Sequence, residues 1–120
     1  MSDTVFTEQQ ASQRLQDELP SWQCVEGCLQ RDYACNGWRA SVLLFNAVAH
    51  VAEAAWHHPD VLVSWGGIRV RLMTHDAGGI TDKDFALAAQ IEQLACWQPE
   101  EGSALEGTPD EPRWRYREPC

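Results

Sequence analysis

The sequence predicts an α+β domain whose elements run in the order αββαββα, and three observations carry that expectation. Apolar residues recur at intervals of three and four from Trp38 to Ala55, the pattern of a helix with one apolar side. Two alternating runs flank Gly66-Gly67, the pattern of a β-hairpin. Two further segments, opening at Thr7 and Thr81, begin with helix-capping residues and continue with apolar residues at helical spacing.

The elements follow in order. Thr7-Glu8-Gln9-Gln10 has the form of a capping box, in which the threonine hydroxyl and the glutamine amide each take a backbone N–H left unpaired at a helix start. Ala11, Leu15 and Leu19 continue this first helix until Pro20 stops it. Trp22–Val25 and Leu29–Ala34, split by Gly27, form a first hairpin with Leu29, Arg31 and Tyr33 on one face. The long helix over Trp38–Ala55 carries one apolar row of Trp38, Val42, Phe45, Ala49 and Ala52. A second row of Leu44, Val48, Val51 and Ala55 widens the stripe, and Pro59 ends the pattern.

Val61–Trp65 and Ile68–His75, joined by a Gly66-Gly67 turn, form the second hairpin. Placing Trp65 opposite Ile68, Val63 opposite Val70 and Val61 opposite Leu72 puts all six on one side. Leu62, Ser64, Arg69 and Arg71 then fall on the other. After Gly78-Gly79, Thr81 caps a last helix with Asp82 and Asp84 in its first turn and an apolar face of Phe85, Ala88, Ile91 and Leu94. From Gln98 onward come four of the six prolines, two glycines and nine charges without apolar period. The expected division is a folded domain over 1–97 and an irregular acidic tail over 98–120.

At 120 residues the chain suits one domain with a real core. Its 18 acidic and 9 basic residues leave a net charge of -9, the wrong sign for gathering nucleic-acid phosphates. No apolar run approaches the roughly 20 residues that cross a bilayer, so no membrane partner is expected. The five cysteines form no paired framework and no basic-then-apolar leader is seen, which fits a reducing cytoplasm. Cys24 and Cys28 are expected as half-buried strand residues.

Three of the four histidines, His57, His58 and His75, fall at the end of the long helix and the end of the last strand. Counting outward from the Gly66-Gly67 turn, position 58 pairs with position 75, which brings two imidazoles to roughly 5 Å. Imidazole exchanges a proton near neutral pH, so such a cluster suits acid–base chemistry. The same positions also suit a helix end and a strand edge, and spacing alone does not separate the two readings. Zinc is not expected there: adjacent His57 and His58 diverge, and no carboxylate or cysteine stands at a ligand spacing with them. His50 is expected at a surface or interface, and Arg69 and Arg71 in solvent.

Glu53-Ala54-Ala55-Trp56-His57-His58-Pro59, followed by Trp65, His75 and Asp84, resembles in order and spacing the signature of the pterin-4a-carbinolamine dehydratases. The stretch Thr74–Thr81 looks like the bacterial form of that family. The resemblance implies a four-stranded antiparallel sheet with helices packed on one face, assembled as a homodimer or homotetramer. It implies dehydration of a 4a-hydroxytetrahydropterin to the quinonoid dihydropterin, a reduced-pterin reaction that needs no cofactor and no metal. By position, His57 and His75 would be the acid–base pair, and His58 would help to hold the pterin. Glu53 and Asp84 would orient imidazoles or cap a helix, Trp22 would stand near the pocket, and Pro59 and Trp65 complete the signature. Tyr33, Cys35 and Trp56 depart from the family's usual residues.

The tail, with Trp97-Gln98-Pro99, Leu105–Pro109 and Trp114, looks like that of dehydratase-like proteins encoded with α-carboxysomes, thought to assist Rubisco assembly. The resemblance therefore implies one of two roles: a dehydratase, or an inactive relative serving as a Rubisco assembly chaperone.

Overall fold

Residues 4–109, 111, 116 and 120 are described in the computed structural model. Helix α1 spans Glu8–Glu18, strands β1 and β2 span Gln23–Val25 and Cys28–Ala34, and α2 spans Trp38–Ala55. Strands β3 (Asp60–Ser64) and β4 (Gly67–Leu72) lead through a 3-10 turn at His75–Ala77 into α3 (Asp82–Cys96). The order is αββαββα, and the strands form one antiparallel sheet in the order β1-β2-β4-β3.

Alternation along the strands decides the layering. Leu29 and Tyr33 of β2 and Ile68, Val70 and Leu72 of β4 point to one face, where they meet Leu15 of α1, Leu44, Val48 and Ala52 of α2, and Phe85, Ala88 and Ile91 of α3. All three helices thus cover one face of the sheet. Each fully buried Leu, Val or Ile contributes about 1.5–3 kcal/mol relative to an exposed one, which ties the helices to the sheet. The expected capping box forms between Thr7 and Gln10, and Thr81, expected as a cap, forms a second box with Asp84.

The second hairpin corrects the expected register. Val63 pairs with Ile68 and Val61 with Val70, two residues away from the register read from the Gly66-Gly67 turn. The two-residue turn is Trp65-Gly66, while Gly67 is a strand residue paired with Ser64 on one side and Ala34 on the other. Its φ is 153°, and a Cβ there would stand 2.1 Å from the Tyr33 carbonyl oxygen. Gly67 is therefore used for close approach of backbone, not for turning. A shift of two preserves the faces, so the apolar side survives. Trp65, however, sits in the turn and is 67% exposed instead of joining that side. Ladder pairing ends at Asp60 with Arg71, so His58 and His75 are not cross-strand partners.

Helix α2 buries a stripe that crosses both expected rows. Leu44 and Val48 of the second and Ala52 of the first are buried together with Ser41, whereas Trp38 of the first row is 55% exposed and Ala55 of the second faces outward. Apolar residues occupy much of this helix, and only the sheet decides which of them it covers. The outward sheet face carries a forked Arg69–Asp32 pair (2.8 and 3.1 Å), and Arg71 donates to the Val25 carbonyl. These arginines are engaged, not merely solvated.

The cysteines also depart from expectation: Cys96 in the last turn of α3 is disulfide-bonded to Cys120. Asn36 N–H donates to the Tyr116 carbonyl, and Tyr116 packs against the core. No helix or strand follows α3 among the described residues, and Trp114 lies outside them. No helix among the described residues is long and apolar enough to cross a membrane.

Candidate active site

The end of α2, the end of β4 and the start of α3 converge. Helix α2 stops because Trp56 adopts a left-handed conformation (φ 54, ψ 43) and its N–H turns back to the carbonyls of Ala52 and Glu53. His57 N–H also returns to Ala52, which holds the two histidines close to the helix end before Pro59 and β3 carry the chain away. Beyond β4, a bridge between Thr74 and Gly79 closes the tight turn that carries His75.

Asp84 ties these segments together. Its carboxylate is fully buried and accepts from the Thr81 N–H (2.9 Å), the Thr74 hydroxyl (2.9 Å) and His57 Nε2 (2.6 Å). A carboxylate can only accept, so the His57 proton resides on Nε2, which leaves Nδ1 as the nitrogen able to take a proton. Placement in the first turn of α3 adds the favourable field of the helix start. A single side chain thus caps α3, fixes the β4–α3 turn and orients one imidazole.

His58 Nε2 lies 2.8 Å from Glu53 Oε1, both side chains reaching solvent, and its ring meets Trp56 edge-on at 5.2 Å. His75 is exposed at the rim. A cleft of about 320 Å³ is lined by Trp56, His57, His58, Met73, Thr74, His75, Asp76 and Lys83. A second hollow, about 360 Å³, shares Trp56, His57 and Lys83 with it and runs along Ala86, Leu87 and Gln90 of α3.

The structure thus brings His57, His58 and His75 to one cleft, with Asp84 behind His57 and Glu53 beside His58. It does not bring Trp22, Pro59 or Trp65 to the cleft lining. Trp22 is buried and donates its indole N–H to Glu92 of α3 (3.1 Å). Sequence reasoning missed Thr74, whose hydroxyl supports Asp84, and Met73, Asp76 and Lys83, which line walls without a motif.

It also missed Glu92, which accepts from Trp22, the Tyr33 hydroxyl (2.5 Å) and Arg31 (3.1 Å). Burial alone would raise the Glu92 pKa, but the donors from Tyr33, Arg31 and Trp22 outweigh it and hold the carboxyl below its ordinary range. Burial first, and Glu92 second, push the Tyr33 phenol upward. The one hint in the sequence was a glutamate directly after Ile91 on the apolar side of α3.

Comparison with known proteins places this arrangement. The profile of the family described as pterin 4 alpha carbinolamine dehydratase matches residues 4–94. The chain belongs to that family. A relative from Aquifex aeolicus is 38% identical over 89 residues, covering 74% of this chain and 89% of its own, and is named, provisionally, as a pterin-4-alpha-carbinolamine dehydratase. One from Nocardia farcinica, with the same provisional name, is 37% identical over 95 residues, 79% of this chain and 99% of its own. The crystal structure of a transcriptional coactivator/pterin dehydratase from Brucella melitensis superposes with a TM-score of 0.68, covering 77% of this chain and 99% of the other. At 23% identity that superposition speaks for the shared fold. The dehydratase match stops two residues before Cys96, so the tail lies beyond what the family profile describes.

Proposed function

We propose that the histidine cleft dehydrates a 4a-hydroxytetrahydropterin to the quinonoid dihydropterin. The observation that carries the reading is the His57–Asp84 pair, an imidazole held by a buried carboxylate and opening on the same cleft as His58 and His75. Dehydration removes the C4a hydroxyl as water and one proton from a ring nitrogen, with no net change of oxidation state. It therefore asks for one group to protonate the leaving oxygen and one to accept the ring proton. His57, through Nδ1, and His75, across the cleft, take these two roles, and the resting protonation returns when the proton passes between them or through solvent. His58, held by Glu53, contacts the pterin. Asp84 keeps His57 in one tautomer and stabilises its imidazolium. The residues supply the whole chemistry, so neither metal nor cofactor is part of the reading, and the cytoplasm is where reduced pterin would meet it.

The test is the rate at which purified protein removes the carbinolamine generated in situ, followed spectroscopically. His57→Ala and His75→Ala should each reduce that rate by about 10²-fold or more while circular dichroism stays unchanged. A wild-type rate equal to the uncatalysed one ends the proposal.

A second reading is favoured by Trp97 and Leu105, 60% and 62% exposed and outside the family match. In it the domain binds a larger protein, Rubisco by the resemblance of the tail, and the cleft is relict. Removal of residues 98–120 should then abolish partner binding, and unchanged binding would count against this reading. In either reading, the exposed Trp38 and Leu43 of α2 fit a homodimer or homotetramer contact, which the sedimentation coefficient would reveal.

A further inference from the structure

A second cluster of reactive side chains lies at the far end of α3, away from the histidine cleft. Glu92 and Cys96 are four residues apart on α3 and so share a face, and the tail returns Cys120 to the same place. One Glu92 oxygen and the two sulfurs all lie within 4.8 Å of one another. Cys96 and Glu92 are half-buried and Cys120 is exposed, so the cluster is open to solvent on one side.

We propose that, once the Cys96–Cys120 bond is reduced, Cys96, Cys120 and Glu92 form a zinc-binding site that clasps the tail to α3. Two thiolates and a carboxylate are a borderline-soft donor set, the kind that takes zinc in tetrahedral geometry, with water as fourth ligand. Glu92 is already fixed: Trp22, Arg31 and Tyr33 all donate to it, as supporting hydrogen bonds hold carboxylate ligands elsewhere. Charge closes as well. Three anionic ligands and Zn²⁺ leave one negative charge, which Arg31, 3.1 Å from Glu92, offsets. Without a cation, two thiolates beside an ionised carboxylate would repel one another. A disulfide alone needs only the two sulfurs, and the carboxylate adds nothing to it.

The two states exclude each other. In the reductive step a phosphine gives two electrons to the sulfur–sulfur bond. Water supplies the oxygen taken up by phosphorus and the two protons that make two thiols. Zinc binding then releases both thiol protons to solvent.

Cobalt(II) is the probe, because thiolate-to-cobalt charge transfer reports sulfur ligation and cannot arise from the histidine cleft. Full-length protein reduced with phosphine should show one equivalent of that near-ultraviolet absorption together with visible bands of a tetrahedral site, reversed by adding zinc. The oxidised protein should show none, and Cys96→Ser and Cys120→Ser should lose it, although Cys24, Cys28 and Cys35 remain. Glu92→Gln should weaken cobalt binding by about tenfold or more. The absence of charge transfer in the reduced wild type overturns the proposal, and so does its persistence in Cys120→Ser with circular dichroism matching that of the reduced wild type. Equal affinity in Glu92→Gln, with its circular dichroism unchanged, removes the carboxylate from the site.

Discussion

Replacing Asp84 by Asn tests how much one buried charge does for the cleft. Asp84 offers two oxygens to three donors: Thr81 N–H and the Thr74 hydroxyl at 2.9 Å, both on Oδ2, and His57 Nε2 at 2.6 Å on Oδ1. An asparagine keeps one oxygen. If that oxygen stays with the two threonine donors, its NH₂ faces His57 Nε2, which must then accept, and the imidazole proton moves to Nδ1. The charge-assisted bond from His57 gives way to a neutral one of reversed polarity, and the two threonine donors lose their charged acceptor, together worth about 1.5–3 kcal/mol. For a domain of this size that lowers Tm by about 6–12 °C. In the dehydration the same loss falls on the imidazolium, giving a rate decrease of roughly ten- to a hundredfold at about 1.4 kcal/mol per decade. Long-range ¹H–¹⁵N correlation reads the tautomer directly: His57 should carry its proton on Nε2 in the wild type and on Nδ1 in Asp84→Asn. An unchanged tautomer in a folded variant would refute the orienting role, whatever the rate.

Trp56→Gly should raise stability by about 0.5–1 kcal/mol in urea unfolding, because glycine adopts the left-handed backbone of Trp56 (φ 54) without penalty and the side chain, 75% exposed, buries little. A loss of stability would show that its edge contact with His58 outweighs the backbone term. Gly67→Ala should destabilise by roughly 3 kcal/mol or more, visible as a collapse of Tm, since the new Cβ would meet the Tyr33 carbonyl at 2.1 Å and both partners are backbone. The Glu92 pKa is depressed in the folded state, so its ionised form favours folding at neutral pH. That contribution fades as pH falls below the ordinary value of 4.5 and on through the lower folded one. Urea midpoints between pH 6 and pH 3 should therefore drop more steeply in the wild type than in Glu92→Gln; parallel curves would count against the Trp22–Tyr33–Arg31 network.

Local signals were legible wherever one segment carries its own instructions. The capping box at Thr7 and the cap at Thr81 needed only residues within one turn, and the strand faces needed only alternation, so a register wrong by two still placed Val61, Val63, Ile68 and Val70 on the core side. The signature around His57 and His58 marked the cleft because helix end and histidines are adjacent in the chain. Trp65 was misplaced because Gly-Gly resembles a turn, whereas the tight approach of Tyr33 to Gly67 is a contact between distant strands. Trp22, Arg31 and Tyr33 gave no sign that they share one acceptor, since Glu92 lies more than fifty residues further on.

The sequence by itself determined the elements, their order and the facing of each strand, because those depend on propensity, caps and periodicity within a few residues. It also determined which imidazoles were candidates. Only the tertiary structure decided that Asp84 is buried behind His57, that Glu92 gathers three donors, and that the tail comes back to bond Cys120 to Cys96. Burial and hydrogen-bond partnership belong to pairs of surfaces, and a surface acquires its partner only when the sheet closes under the helices.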